Sequence, residues 1–213
     1  MQEKQTNGQP TPPEVVVFDL GKVLVDFDYG RAVRRLPPLI RVSLGEVRRL
    51  LTESPLLTDY ETGRLDTRQF YEQFSQATGF AGDQAEFESI FNDIFSEITP
   101  MTAALGRLRE AGWTCAAFSN TNPMAIEHLD RHYPFMGHLQ PRILSYEHGR
   151  MKPDPALYEV VERLTGRSGA ALFYVDDREE NVAAARDRGW RAVLHRDPAE
   201  TLRLMAAEGL PAN

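Results

Sequence analysis

Cysteine is almost absent from this chain. The single Cys115 cannot close an intrachain disulfide, and in the apolar run WTCAAF it reads as a buried small hydrophobe rather than a reactive thiol. No apolar run is long enough to span a membrane, and the polar, proline-containing start MQEKQTNGQPTPP has no segment resembling a signal peptide. A basic excess is missing as well. Against 31 Asp and Glu stand 24 Lys and Arg, a formal net charge of −7, which argues against nucleic acid as the main partner. These absences lead to the expectation of a cytoplasmic protein with a disordered tail over residues 1–13. The 213 residues, 42% hydrophobic, are enough for one sizeable core.

What is present is a strand–helix alternation with one interruption. EVVVFDLG, WTCAAFSN, PRILSY, ALFYVDD and WRAVLH are short β-branched or apolar runs. Between and after them lie amphipathic stretches such as MTAALGRLREAG, PMAIEHLDRHY, DPALYEVVERLTG, REENVAAARDRG and DPAETLRLMAAEG. Such alternation predicts right-handed crossovers and a parallel sheet with helices on both faces, a Rossmann-like α/β core over residues 14–29 and 99–213. Residues 30–98 instead carry helical periodicity and no convincing strand. Ser43–Glu46 and Asp66–Gln69 read as capping boxes. Phe87, Ile90, Phe91, Ile94 and Phe95 fall on one helical face, which reads as core packing. The segment is expected to be a helical cap inserted after the first strand.

Polar groups cluster where these strands should end. Asp19 closes EVVVFD, Ser119-Asn120-Thr121 closes WTCAAF, Asp176-Asp177 closes ALFYV, and Lys152 precedes Pro153 in a loop held extended. Ligands in open α/β sheets bind beyond the carboxyl ends of the strands. A nucleophilic carboxylate, a hydroxyl, an amine and two adjacent acids there are what Mg²⁺-assisted phosphoryl transfer requires. Each residue alone also has an ordinary explanation. Asp19 could cap a turn, Ser119-Asn120-Thr121 could be a plain helix N-cap, and Lys152 could be solvated surface. Order and placement together favour the functional reading.

FDLGKVLVDFD, FSNTN, RMKPDPALY and YVDDREENV resemble, in the right order, the four motifs of the haloacid dehalogenase (HAD) superfamily of hydrolases. The helical insert resembles that superfamily's first-type cap, and the motifs are most similar to those of bacterial sugar-phosphate phosphatases such as α-D-glucose-1-phosphate phosphatase. The resemblance implies an aspartyl-phosphate on Asp19. Mg²⁺ would be held by Asp19, the Gly21 backbone carbonyl and Asp177, with Asp176 in support. Ser119 and Asn120 would place the phosphoryl group, and Lys152 would neutralise it and orient Asp19. The implied substrate is a small phosphorylated metabolite, such as glucose 1-phosphate, with no nucleic-acid or membrane partner.

One departure stands out. Most HAD phosphatases carry a second Asp two residues after the nucleophile as general acid and base, and here that position is Gly21. Asp26 and Asp28 are candidate substitutes, though solvated turn acids explain them better. A hemiacetal leaving group, as in an anomeric sugar phosphate, would need less protonation. Tyr60-Glu61-Thr62-Gly63 is the most suggestive cap turn for substrate specificity, and a mere helix connection explains it as well. Two other readings remain open: a metal-independent 2-haloacid dehalogenase, and a non-catalytic module that binds a phosphometabolite or a partner.

Overall fold

The computed structural model describes residues 11–211. Strand β1 (Val15–Phe18) lies at the centre of a five-stranded parallel sheet, and a two-residue periodicity divides its side chains between two cores. Val16 and Phe18 pack on one face with Met101, Leu105, Leu108 and Met205. Val15 and Val17 pack on the other with Leu157, Tyr158, Val161 and Val182. A strand buried on both faces must be apolar throughout, which is why VVVF contains no polar residue.

After β1 come β2 (Val25–Phe27) and five helices: α1 (Tyr29–Arg35), α2 (Leu44–Glu53), α3 (Leu56–Glu61), α4 (Thr67–Thr78) and α5 (Gln84–Asn92). Both capping boxes form, Ser43 with Glu46 and Asp66 with Gln69. A strand β3 (Phe95–Glu97) then pairs antiparallel with β2. This strand corrects the reading of 30–98 as wholly helical. Only Phe87, Ile90 and Phe91 of the apolar stripe lie on α5, whereas Ile94 and Phe95 follow the helix's end at Asn92. The helices enclose their own aromatic core of Tyr60, Phe70, Phe74, Phe80 and Phe87, to which Met124 is added from outside the insert.

The chain continues as α6 (Thr99–Glu110), β4 (Thr114–Ser119), α7 (Pro123–His132), β5 (Arg142–Leu144), α8 (Ser145–His148), α9 (Pro155–Thr165), β6 (Leu172–Asp176), α10 (Glu179–Asp187), β7 (Arg191–Leu194) and α11 (Pro198–Ala207). The sheet order is β5-β4-β1-β6-β7. That is the α/β architecture expected from the alternation. Most of the segment read as a disordered tail lies outside the described residues. Thr11–Pro13 are bound to the core instead: the Arg191 guanidinium donates to the Thr11 carbonyl at 2.6 Å, and the Trp113 indole to the Pro13 carbonyl at 3.0 Å. Among the described residues, no helix is long and apolar enough to cross a membrane. Cys115 is buried and its thiol is pushed up to about 12 by desolvation, as befits a packing residue.

Candidate active site

β1, β4 and β6 are neighbours in the sheet, so their carboxyl ends bring Asp19, Ser119 and Asp176 together. The ladder extends one residue past β1, where the Asp19 amide donates to the Val175 carbonyl at 2.9 Å. The Asp19 Oδ1 accepts from the Leu20 amide at 2.8 Å and lies 3.1 Å from Lys152 Nζ. Desolvation raises the Asp19 carboxyl to about 6, with Lys152 opposing the rise. It therefore titrates above the ordinary carboxylate range and is still mostly ionised at neutral pH.

Lys152 organises this centre. Its ammonium is buried, 2.7 Å from Asp176 Oδ2, and it donates to the Phe118 carbonyl at 2.8 Å and to the Tyr174 hydroxyl at 3.2 Å. Burial alone would favour the neutral amine, but Asp19 and Asp176 outweigh it and keep the lysine charged. Asn120 holds the loop in place from both sides. Its Oδ1 accepts from the Lys152 amide at 2.7 Å, and its Nδ2 donates to the Lys152 carbonyl at 3.1 Å. The side chain expected to help place phosphate thus positions the lysine. Ser119 lines the cavity, and its hydroxyl makes a long 3.4 Å contact to the Asn120 carbonyl.

The two adjacent acids have different surroundings. Asp176 is fully buried. It accepts from the Arg178 amide at 2.8 Å, from Asn181 Nδ2 at 3.0 and 3.1 Å, and from the Tyr174 hydroxyl. Burial would raise its pKa, but Lys152 and these hydrogen bonds hold it below the usual range. Asp177, just past the strand, lines the open cavity and is raised by partial burial and by Asp176 beside it. Carboxylate oxygens of Asp19, Asp176 and Asp177 all lie within 4.8 Å of one another. Asn181 Oδ1 is buried at the same cavity without a hydrogen-bond partner.

Tyr174 and Asn181 carry roles that the sequence reading did not assign. Tyr174 lies two residues before Asp176 on the same strand face, and Asn181 lies on the first turn of α10. Both could have been found by asking which neighbours must satisfy a buried Asp176.

The cavity measures about 400 Å³, and Gly21, Glu61, Ser119, Lys152 and Asp177 are among its walls. Asp26 and Asp28 are not. Asp26 pairs with Lys22 and accepts from the Phe27 amide at 2.8 Å, while Asp28 caps α1 by accepting from the Gly30 amide at 2.8 Å. Of the cap-turn residues, Tyr60 is fully buried. Its hydroxyl accepts from the Met124 amide at 3.1 Å, tying α3 to the start of α7. Gly63 makes that docking close: its φ is +70°, and a Cβ there would lie 2.2 Å from the Tyr146 carbonyl oxygen. Glu61 faces the cavity. Desolvation lifts its carboxyl to about 7, with Arg178 opposing.

Residues 13–189 match the family model of haloacid dehalogenase-like hydrolases. The chain belongs to that family. A D-ribitol-5-phosphate phosphatase of Bacteroides thetaiotaomicron is 24% identical over 186 residues, which are 82% of this chain and 88% of that protein. A sesquiterpene phosphatase of Aspergillus oryzae is 28% identical over 181 residues, 83% of this chain and 86% of that protein. A HAD family enzyme from B. thetaiotaomicron, solved in complex with magnesium and inorganic phosphate, superposes with a TM-score of 0.77 at 20% identity, covering 86% of this chain and 94% of the other. The HAD-like fold expected from the four motifs is the fold observed.

Proposed function

We propose that this HAD hydrolase is a Mg²⁺-dependent phosphatase that cleaves a small phosphate monoester through an aspartyl-phosphate on Asp19. The observation that carries this reading is the buried Lys152 ammonium clamped between Asp19 and Asp176, with Asp177 facing the same cavity. The donor set suits a hard divalent cation: three carboxylates converge, and Asn181 Oδ1 lies buried without a partner beside them. Asp19, Asp177 and the Gly21 carbonyl would hold Mg²⁺, with Asp176 supporting through Lys152. When bound, the ion supplies charge neutralisation and orientation for phosphoryl oxygens.

The chain's own residues account for the rest. The Leu20 amide and Lys152 fix the Asp19 carboxylate, which attacks phosphorus as the ester P–O bond breaks. Lys152 and the Ser119 hydroxyl compensate the phosphoryl charge. The leaving oxygen takes its proton from Glu61, which lines the same cavity as Gly21, whereas Asp26 and Asp28 are engaged elsewhere. Ionised Glu61 then accepts a proton from the water that attacks the phosphorus, releasing phosphate and restoring Asp19.

The finer reading, a sugar phosphate such as glucose 1-phosphate, draws support from the ribitol-phosphate phosphatase relative. The sesquiterpene phosphatase relative points to an apolar alcohol instead. A metal-independent 2-haloacid dehalogenase gains nothing from Asp177 beside an anionic substrate, and a non-catalytic module has no need of a lysine held against a nucleophile. Purified protein should release phosphate from small esters only with Mg²⁺ and should release no halide from 2-haloacids. Halide release after exhaustive chelation would replace this reading with the dehalogenase one.

A further inference from the structure

The catalytic cavity does not end in polar walls. Gly21, Phe27, Glu61, Ser119 and Asn120 also line an inner chamber of about 220 Å³, whose remaining surface is largely apolar, with Leu20, Val25, Met124 and Leu129 among it. Tyr29, Leu51, Leu57 and Phe91 in turn line both that chamber and an outer groove of about 610 Å³ among α1, α2, α3 and α5. Ala32, Val33, Leu36, Leu44 and Val47 continue the apolar surface, and Arg48 and Thr52 are the polar side chains on it. Tyr29 is 58% exposed and Val33 42%, and they are two of the three exposed large hydrophobic residues among those described. A contiguous exposed apolar strip marks an interaction site, and this one joins the catalytic cavity at the walls they share.

Resting on the phosphatase reading, we propose that the substrate is the phosphate ester of a linear apolar alcohol, an alkyl or isoprenoid-like chain. Its phosphate sits at Asp19 and Lys152, its first carbons fill the inner chamber, and its tail lies along the outer groove. Continuity with the catalytic cavity is what selects this occupant over a protein segment. A polyol fits poorly. Beyond the catalytic junction the polar side chains on the inner chamber include Tyr60, Asn92, Thr121 and Asn122. Asn92 Oδ1 is a buried acceptor left without a partner, whereas the Tyr60 hydroxyl and Asn122 Oδ1 already accept from the Met124 and Ala125 amides, so most of a polyol's hydroxyls would be desolvated with poor compensation.

The test is kcat/KM for phosphate release, with Mg²⁺, from n-alkyl phosphates from ethyl to decyl, each below its critical micelle concentration. Leaving-oxygen basicity is nearly constant along the series, so chain length is read alone. Burial of each methylene should raise kcat/KM about fourfold until the groove is filled. Hexyl phosphate should exceed both glucose 6-phosphate and ribitol 5-phosphate by roughly a hundredfold or more, the product of several such increments. Val33→Glu, on the exposed outer groove, should flatten the octyl-to-decyl part of the series far more than the ethyl-to-butyl part. A flat series with good turnover, or a preference for the polyol esters, would overturn the apolar assignment and leave the phosphatase reading standing. Absence of phosphate release from every ester, acetyl phosphate and p-nitrophenyl phosphate included, would overturn the phosphatase reading itself.

Discussion

Glu61→Gln isolates the proton donor that Gly21 cannot supply. Desolvation moves the Glu61 carboxyl from 4.5 to about 7. At pH 7 that raises the protonated fraction from about 0.3% to about one half, a gain of roughly 150-fold in the form able to donate. Arg178 opposes the rise, and Tyr29 feels the Glu61 charge from the neighbouring helix. Lys22, Asp19, Lys152 and Asp177 share the cavity with Glu61. Because the acid must carry its proton, rising pH removes activity: kcat/KM for an alkyl phosphate should fall about tenfold per pH unit above 7. Glu61→Gln should abolish that limb and cost about 10²–10⁴-fold in kcat/KM on hexyl phosphate, the usual worth of general acid catalysis. On p-nitrophenyl phosphate, whose leaving group needs little protonation, the loss in kcat/KM, which does not contain the later hydrolysis of the aspartyl-phosphate, should stay within about fivefold, well under the range for a required acid. Equal losses on both esters, or survival of the alkaline limb in the variant, would refute the assignment.

Two further outcomes test the metal site and the seating of the cap. Asp177→Asn should raise the Mg²⁺ concentration for half-maximal activity at least about tenfold by removing a hard oxygen ligand, whereas Asp26→Asn, on an exposed ion pair with Lys22, should move it little; metal titrations of both variants check this. Gly63→Ala and Gly112→Ala both place a side chain at positive φ, but only at Gly63 is the new Cβ against backbone. Denaturant unfolding should therefore show a loss of about 1 kcal/mol for Gly112→Ala and a clearly larger one for Gly63→Ala, together with reduced turnover only in the latter.

The sheet was readable because a strand buried on both faces leaves a continuous apolar run, and VVVF, TCAAFS and LFYVD do so. The site was readable as far as chemistry at strand ends is concerned, in Asp19, Ser119, Lys152 and Asp176-Asp177. Two kinds of information were not. The β2–β3 pair was hidden because three-residue strands carry almost no periodicity, and Ile94 and Phe95 continue the helical spacing of α5 by coincidence. Roles that depend on tertiary surroundings were hidden too. Nothing local to Asn120 says that both ends of its amide bind the Lys152 backbone, or that Tyr60 turns inward to α7 while its neighbour Glu61 is desolvated over the cavity.

The central claim is a covalent phosphoryl-enzyme at Asp19, and chemical trapping tests it most directly. Protein turning over a phosphate ester with Mg²⁺, quenched and reduced with borohydride, should carry homoserine at position 19, located by peptide mass spectrometry. Asp19→Asn should show neither the mark nor turnover above about one per cent of wild type, since loss of a nucleophile removes the whole covalent route. Full turnover with no label at Asp19, or label at another residue, would contradict the account.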